Sequence, residues 1–232
     1  MAQAVDLELP AGARYALIGP NGAGKTTLIN LVTGMLAPDG GRVFLDGEDI
    51  TALPPEARVK RGLARTFQIN TLFAQLTALE SVALAVLERD AHAHNWWRGL
   101  PRFAPQLEEA QAILKSLRLE NQGNRLTREL AYGEQRLLEI ALALATRPRV
   151  LLLDEPAAGV PREETAALFA AIAGLSRELT VLFIEHDMEV VFRFASRILV
   201  MVGGRILVQG TPEEIARDPT VREVYLGRAR HA

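Results

Sequence analysis

The chain has 232 residues, of which 49% are hydrophobic and 23% are charged, a composition typical of a globular protein with a substantial core. Its longest stretch without a polar side chain covers residues 166–175, too short for a membrane-spanning helix of about 20 residues. The formal charge of −2 argues against a broad basic face for nucleic acid, and the lack of cysteine excludes disulfides and thiolate chemistry. We therefore expect a cytoplasmic protein that binds no nucleic acid.

The first motif along the chain is a glycine-rich loop between a predicted strand at 15–18 and a predicted helix at 27–32. In such a P-loop, backbone N–H groups at a helix N-terminus bind phosphate oxygens, a lysine reaches the β and γ phosphates, and the next hydroxyl binds Mg²⁺. The pattern predicts an ATP and Mg²⁺ site rather than an accidental glycine turn. Its candidate residues are Gly19, Pro20, Asn21, Gly22, Ala23, Gly24, Lys25, Thr26 and Thr27, with Lys25 on the phosphates and Thr26 on Mg²⁺.

The middle of the chain is predicted to be mainly helical. Residues 42–47 are typical of a strand and turn in an antiparallel edge sheet. Residues 78–88 and 106–119 then show apolar spacing near 3.6, and a third helical pattern covers 137–144. These three segments predict a helical region in the middle of the chain.

Two apolar strands of the second half end in polar residues that suit nucleotide chemistry. Residues 150–153 form a continuous apolar run followed by Asp154 and Glu155, and residues 180–184 are followed by a glutamate and His186. Ligands of parallel sheets bind at the carboxyl ends of the strands. Asp154 is therefore a candidate for the Mg²⁺ shell, Glu155 for the general base, and His186 for a hydrogen bond to the γ-phosphate.

The C-terminal region adds architecture without chemistry. Residues 197–202 and 205–209 flank Gly203 and Gly204, a pattern that predicts a two-residue β-hairpin. Residues 211–214 then begin a helix, with threonine at the N-cap and proline at the first helical position.

Five motifs occur in the order found in the ATP-binding subunits of ABC transporters, which the sequence resembles over almost its entire length. They are the loop 19–26, RTFQ at 65–68, LAYGEQR at 130–136, LLLDEP at 151–156 and EHDM at 185–188. The residues of these motifs are most similar to those of the ATPase subunits of branched-chain amino acid importers, and the C-terminal segments 210–215 and 224–227 resemble that group as well.

The resemblance implies a fold and further site residues. It implies an α/β fold: a P-loop NTPase (RecA-like) core at about 1–72 and 147–232, with an antiparallel β subdomain and an inserted α-helical subdomain at about 73–146. Gln68 would contact Mg²⁺ or the attacking water and sense the permease. The signature segment would face ATP held by a second subunit in a homodimer or heterodimer with a homologous ATPase. That segment comprises Leu130, Ala131, Tyr132, Gly133 and Glu134.

The implied function is that of an ATP-hydrolysing motor for a membrane importer of branched-chain or related amino acids. Its partners would be transmembrane permease subunits and, indirectly, a substrate-binding protein, with the chain peripheral at the cytoplasmic face of the membrane. The candidate permease contacts are apolar side chains near Gln68, for which ordinary core packing is an equal alternative. They are Phe67, Leu72, Phe73 and Leu76.

Some positions depart from the family pattern and keep other functions open. Ala131 removes the signature serine, Tyr132 replaces a glycine, and Val160 and Pro161 stand where an Asp or Asn is usual. We also expect no strand and no adenine-stacking aromatic ahead of the P-loop strand. The alternatives are a nucleotide-binding regulatory subunit with little turnover, or the ATPase of a lipid or polysaccharide exporter. An ATPase acting on ribosomes or DNA is disfavoured, because no coiled coil or basic patch is visible.

Overall fold

The computed structural model describes residues 2–66, 72–91 and 103–226, with side chains described up to residue 223. The described parts of Met1–Arg65, Arg149–Pro156 and Arg177–Ala232 form one compact unit, which we call the sheet unit. Those of Thr66–Pro148 and Ala157–Ser176 form the second, which we call the helical unit.

The strands of the sheet unit lie in one large and one small sheet. They are β1 (Arg14–Ile18), β2 (Phe44–Leu45), β3 (Glu48–Asp49), β4 (Leu63–Arg65), β5 (Val150–Asp154), β6 (Thr180–Ile184), β7 (Arg197–Val202) and β8 (Arg205–Gly210). The large sheet has the order β4-β5-β6-β1-β7-β8, in which the neighbours from β4 to β7 pair in parallel and β8 pairs antiparallel to β7. These findings confirm the α/β fold and the three apolar strands predicted from sequence.

The parallel strands are almost continuously apolar because both of their faces are buried. All five residues of β6 are buried, as are the last four of β1 and of β5. In the register of the sheet, Leu152 lies beside Leu182, and Leu17 lies beside both Ile184 and Leu199. This packing brings the carboxyl ends of β1, β5 and β6 to one edge of the sheet. The P-loop follows β1 at this edge, and the polar residues that follow β5 and β6 lie there as well.

Two hairpins show the turn chemistry that their sequences predict. Gly203 and Gly204 connect β7 to β8 with φ of 56° and 86°, as a primed two-residue turn requires. Asp46 and Gly47 connect β2 to β3 with φ of 50° and 80°. The strand and turn predicted at 42–47 are present, with the strand limited to Phe44–Leu45 and the turn at Asp46 and Gly47.

Among the helices of the sheet unit, the second carries a buried arginine that contacts the C-terminal end of the first. These helices are α1 (Lys25–Thr33), α2 (Pro55–Lys60), α7 (Met188–Phe194), α8 (Pro212–Arg217) and α9 (Pro219–Leu226). Arg58 is 1% exposed, and its guanidinium donates to four carbonyls, two of them in the last turn of α1. It thereby satisfies carbonyls that the helix end leaves without intrahelical partners. At α8, Thr211 and Glu214 form the predicted capping arrangement.

The helical unit consists of four helices and two short 3₁₀ turns among its described residues. The helices are α3 (Ala78–Arg89), α4 (Ala104–Ser116), α5 (Tyr132–Leu144) and α6 (Arg162–Ala173), and the turns are Glu120–Gln122 and Thr127–Glu129. The three predicted helices are confirmed. The helix α4 ends at Ser116, three residues before the predicted end at 119, and Leu117 is its C-cap. Within the described part of the chain, no helix is long and apolar enough to cross a membrane.

A charged cluster joins the ends of α3 and α5 to the middle of α4. Arg89 donates from Nη1 and Nη2 to the two carboxylate oxygens of Glu109 at 2.6 and 2.9 Å, and Arg147 contacts the same carboxylate at 2.7 and 2.9 Å. Arg89 also donates to the carbonyl of Ala145 at the end of α5. The Arg89 hydrogen bond is the main cause that lowers the pKa of Glu109 to about 2, because it favours the ionised form of the carboxyl group.

The assignment of α6 differs from the sequence-based boundary. The expected core of 147–232 would include α6, whereas Ala157–Ser176 groups with the helical unit. The physical reason is the packing of α6 on α5, to which a carboxylate of its first turn is also hydrogen-bonded. The segment that follows the acids of β5 therefore belongs with the signature helix.

Candidate functional site

The glycine loop after β1 has the backbone geometry of a phosphate-binding loop. A Cβ at Gly19 would overlap the Met201 carbonyl, so only glycine fits there. Gly24 has a φ of 103° and is the N-cap of α1, without a side chain that could occupy the first N–H groups of the helix. Loop and helix therefore present backbone donors toward an anion.

Lys25 spans this loop with its ammonium group. Its Nζ donates to the carbonyl of Gly19 at 2.7 Å and to that of Pro20 at 3.3 Å, and the residue is only 7% exposed. Burial lowers the pKa of Lys25, while the charges of Glu155 and Asp154 act in the opposite direction. The ammonium is thus held inside the loop by groups that phosphate oxygens could replace.

The other predicted loop residues differ in their exposure. Asn21, Gly22 and Thr26 are exposed, and Ala23 is buried. Thr26 is the second residue of α1, where an exposed hydroxyl is suited to a ligand at the helix N-terminus. Pro20, Gly24 and Thr27 are partly buried.

Asp154 lies at the end of β5 in an ion pair that sequence reasoning missed. Arg65, the last residue of β4, donates from Nη2 to Asp154 Oδ2 at 2.6 Å and from Nη1 to Asn30 Oδ1 on α1 at 2.7 Å. The side chains of Arg65 and Asp154 are 11% and 6% exposed. The candidate Mg²⁺ acid therefore has a buried cationic partner.

Glu155 and His186 contact each other at the ends of β5 and β6. The Nε2 atom of His186 lies 2.8 Å from Glu155 Oε1, and both side chains are partly open to solvent, at 46% and 29% exposure. Glu155 has a φ of 50°, a left-handed conformation that is uncommon for a residue with a side chain, and its N–H donates to the Ile184 carbonyl. Strain of this kind is often concentrated at functional sites.

Asp187, beside His186, is the residue that caps the next helix. Its Oδ1 accepts from the N–H groups of Glu189 and Val190 at the start of α7. His186 therefore does not cap the helix, and its ring contacts Glu155 instead.

The signature segment forms the N-terminus of α5. Leu130 precedes the helix and Ala131 is its N-cap, but alanine has no oxygen that could accept from the helix. The Glu134 carboxylate still accepts from the Ala131 N–H at 2.8 Å, so half of a capping box is present. This first turn therefore depends on other acceptors.

One such acceptor is a carboxylate from α6. The N–H of Gly133 donates to Glu164 Oε2 at 2.9 Å. A Cβ at Gly133 would lie 2.5 Å from the same oxygen, so a side chain at this position would displace the Glu164 carboxylate. An anionic group thus already occupies the helix N-terminus that the resemblance assigns to phosphate.

Tyr132 takes part in a contact between α5 and the segment after β5. Its hydroxyl accepts from Arg136 Nη2 at 3.1 Å, and the guanidinium lies 5.2 Å from the centre of the ring. Arg136 also donates to the Ala158 carbonyl at 3.2 Å. A Cβ at Gly159 would be 3.0 Å from the Tyr132 hydroxyl, so the tyrosine fills the space above this glycine.

Some predicted residues lie outside the described part of the chain. Gln68 and Phe67 are among them, so their positions stay predictions. Of the other candidate permease contacts, Phe73 is exposed, whereas Leu72 and Leu76 are partly buried. Among the described residues, no group of three or more His, Cys, Asp or Glu side chains could hold a metal by itself. Mg²⁺ keeps phosphate and water ligands beside one or two carboxylates, a ligand set that the Thr26 hydroxyl and the Asp154 carboxylate fit.

The strand, glycine loop and helix, with carboxylates at the end of a neighbouring parallel strand, define a P-loop nucleotide-binding protein. Residues 2–158 match the ABC transporter family, and residues 205–231 match the branched-chain amino acid ATP-binding cassette transporter family. The chain belongs to the ABC transporter family, as an ATP-binding cassette.

Curated relatives match the chain over nearly its whole length. The high-affinity branched-chain amino acid transport ATP-binding protein BraF of Pseudomonas aeruginosa is 44% identical over 237 residues, which cover 97% of this chain and 91% of BraF. The corresponding protein LivG of Escherichia coli K12 is 41% identical over 234 residues, with the same two coverages.

Solved structures show the same fold. A nucleotide-free ATP-binding cassette from an ABC transporter has a TM-score of 0.82 and 32% identity, over 97% of this chain and 92% of that one. A bacterial ABC transporter cassette solved as a dimer has a TM-score of 0.73 and 26% identity, over 91% of this chain and 90% of that one.

Proposed function

We propose that this chain is the ATP-hydrolysing motor subunit of a membrane importer for branched-chain or related amino acids. The observation that carries the hydrolytic part is the pair formed by Glu155 and His186 at the strand ends that follow a complete phosphate loop. Both side chains serve the chemical step rather than nucleotide binding alone.

The residues of the loop fit Mg·ATP. Lys25 would exchange its carbonyl partners for the β and γ phosphates, while the N–H groups of the loop and of the first turn of α1 bind the same oxygens. Thr26 and Asp154, with Gln68, would hold Mg²⁺, with Asp154 acting through water. When bound, Mg²⁺ neutralises phosphate charge and so favours the transfer of the γ-phosphoryl group.

Glu155 is the proposed general base. Its carboxylate orients a water molecule and takes one of its protons while the water oxygen bonds to the γ-phosphorus and the bond to ADP breaks. The products are ADP and phosphate. His186 restrains this carboxylate through the 2.8 Å contact and is the proposed hydrogen-bond partner of the γ-phosphate.

The active unit is proposed to be a dimer with two composite sites. In it, the N-terminus of α5 in each subunit, at Leu130 to Glu134, faces the γ-phosphate held by the other subunit. Either a second copy of this chain or a homologous ATPase could fill the partner role. Closure on ATP and reopening after hydrolysis would drive the permease, with the chain peripheral at the cytoplasmic face of the membrane.

The test of the base is ATP turnover by a Glu155→Gln variant. We expect turnover to fall by about 100-fold or more, since general bases contribute about 10² to 10⁴. Binding of a fluorescent ATP analogue should persist, because Glu155 is not placed in the phosphate loop. The matched control is Glu189→Gln, an exposed acid of the same unit, which should turn over ATP like the unaltered chain. Equal turnover by the two variants would remove Glu155 from its role.

A second candidate function is a nucleotide-binding regulatory subunit with little turnover. It is favoured by Ala131, which leaves the signature helix without a side-chain cap, and by the absence of an acid at Val160 and Pro161. The unaltered chain separates the two functions. Steady-state ATPase activity, alone or with its permease, supports the motor, and its absence in both preparations supports the regulator.

The cargo is proposed from the relatives, since we expect no residue of this chain to contact the transported amino acid. BraF and LivG are both branched-chain amino acid transport ATP-binding proteins. Purification of the chain with its membrane partners tests this assignment. An amino acid permease and a substrate-binding protein should accompany it, and a lipid or polysaccharide exporter in their place would contradict import.

A further inference from the structure

The buried ion pair between Arg65 and Asp154 has no role in the mechanism described above. The pair is short, at 2.6 Å, and both side chains are nearly inaccessible. A carboxylate removed from water needs a counter-charge or several donors, and Arg65 supplies that counter-charge to Asp154.

Arg65 also connects the two elements that would hold Mg²⁺. Its second nitrogen donates to Asn30, which lies four residues after Thr26 and hence on the same face of α1. One guanidinium therefore bridges the helix that carries the candidate Mg²⁺ hydroxyl and the strand that carries the candidate Mg²⁺ acid. Lys25 donates to the carbonyls of Gly19 and Pro20 in the loop.

We propose that Arg65 is a positioning residue that acts as an internal counter-ion of Asp154 and weakens the affinity of the site for Mg²⁺. The inference rests on the proposed function. A guanidinium that touches the acid repels a dication approaching the same carboxylate, whether it stays in place or moves away. Arg65 then compensates the charge of Asp154 both before the metal binds and after it dissociates. Release of Mg·ADP is assisted, because Arg65 can pair again with the acid.

Two other roles for Arg65 give different results. If Arg65 only stabilises the fold, its charge will not affect metal affinity. If it mainly orients Asp154 toward the metal, its removal will weaken metal binding. The direction of the change in affinity therefore distinguishes the three roles.

The experiment measures Mn²⁺, as a paramagnetic substitute for Mg²⁺, bound to the full chain in the presence of ADP. Arg65→Gln removes the charge and keeps an amide donor for Asp154, and we expect Mn²⁺ to bind about tenfold more tightly. Arg65→Lys keeps the charge and should restore the affinity of the unaltered chain. Arg61→Gln removes a partly buried arginine of the same unit that pairs with Glu48, and it should leave the affinity unchanged.

A second variant covers the case in which Arg65→Gln does not fold. Asn30→Ala removes one hydrogen-bond acceptor of the Arg65 guanidinium and keeps the charge of Arg65. The guanidinium is then less firmly fixed beside Asp154. We expect Mn²⁺ to bind about threefold more tightly to this variant. Looser binding in both variants, or changes no larger than that of Arg61→Gln, would overturn the proposal.

The outcome also separates this inference from the proposed function. If the unaltered chain binds Mn²⁺ with ADP and Arg65→Gln does not bind it more tightly, the role of Arg65 fails while the motor function stands. If the unaltered chain shows no ADP-dependent Mn²⁺ binding, both fail.

Discussion

Each of the two units contains a group that is expected to bind a ligand and that is already paired with a side chain of the same unit. In the sheet unit, the acid Asp154 is paired with the cation Arg65. In the helical unit, the N–H donor Gly133 at the start of α5 is paired with the anion Glu164. The first group is proposed to bind a cation and the second an anion, and each internal partner has the charge of the expected ligand.

Under the proposed function, ligand binding in either unit is an exchange of partners. A buried polar group without a partner is costly, so each group is satisfied in the chain without nucleotide. Ligands must then compete with an internal side chain. Affinity depends on the difference between two contacts rather than on one of them.

The largest expected effect concerns the phosphate loop, where the ammonium group of Lys25 is held by backbone carbonyls. We expect Lys25→Ala to weaken ATP binding by about 100-fold, since charge-assisted contacts to two phosphates disappear. The measurement is calorimetric titration with Mg·ATP. Lys60→Ala, which removes an exposed lysine of α2, is the control and should bind like the unaltered chain. Similar affinities of the two variants would show that the ammonium is not a ligand.

The helical unit should respond to acid through Glu109. The pKa of this carboxyl is lowered to about 2, below its ordinary 4.5, mainly by the Arg89 hydrogen bond. A depressed carboxyl stabilises the fold above its unfolded pKa, and the contribution is lost as pH falls from about 4.5 toward 2. We expect a contribution of about 2 kcal/mol at neutral pH.

The measurement is thermal or urea unfolding between pH 2 and pH 7 of the unaltered chain and of Glu109→Gln. The difference in free energy of unfolding should shrink across the acid window. Glu108→Gln, the neighbouring acid on α4, serves as the control and should show no such change. A constant difference at all pH values would mean that the cluster does not hold its charge as described.

The smallest expected effect concerns the anion at α5. We expect Glu164→Gln to strengthen ATP-driven dimerisation about fivefold in a Glu155→Gln background, because the N–H of Gly133 and the helix N-terminus are then less occupied by charge. Glu163→Gln removes the same charge from the adjacent, exposed position and should have no effect. Sedimentation equilibrium in the presence of ATP gives the dimerisation constants of both variants. Weaker dimers of Glu164→Gln would mean that the carboxylate prepares the helix for phosphate instead of competing with it.

The sequence predicted the features whose signals are local. The glycine loop, the apolar strands ending at Asp154 and Ile184, and the Gly203–Gly204 hairpin are each encoded by a few adjacent residues, and the structure confirms their backbone. Short-range patterns were sufficient because turn chemistry and burial on both faces of a sheet leave direct traces in the sequence.

The sequence did not predict the internal partners of these groups. Arg65 is 89 residues from Asp154, and Glu164 is 31 residues from Gly133, so only the fold brings each pair together. Arg65 was visible beside Gln68 in a recognised motif, but nothing local indicated its acid. Similarly, the grouping of α6 with the helical unit depends on its packing with α5, which no periodicity in α6 specifies.

The central claim is that this chain binds ATP in composite sites between two subunits and hydrolyses it with Glu155. The most direct measurement is the mass of the Glu155→Gln variant in solution with Mg·ATP and with Mg·ADP. The account predicts a dimer that retains ATP in the first condition and a monomer in the second. A monomer in both conditions, with ATP turnover equal to that of the unaltered chain, would contradict it.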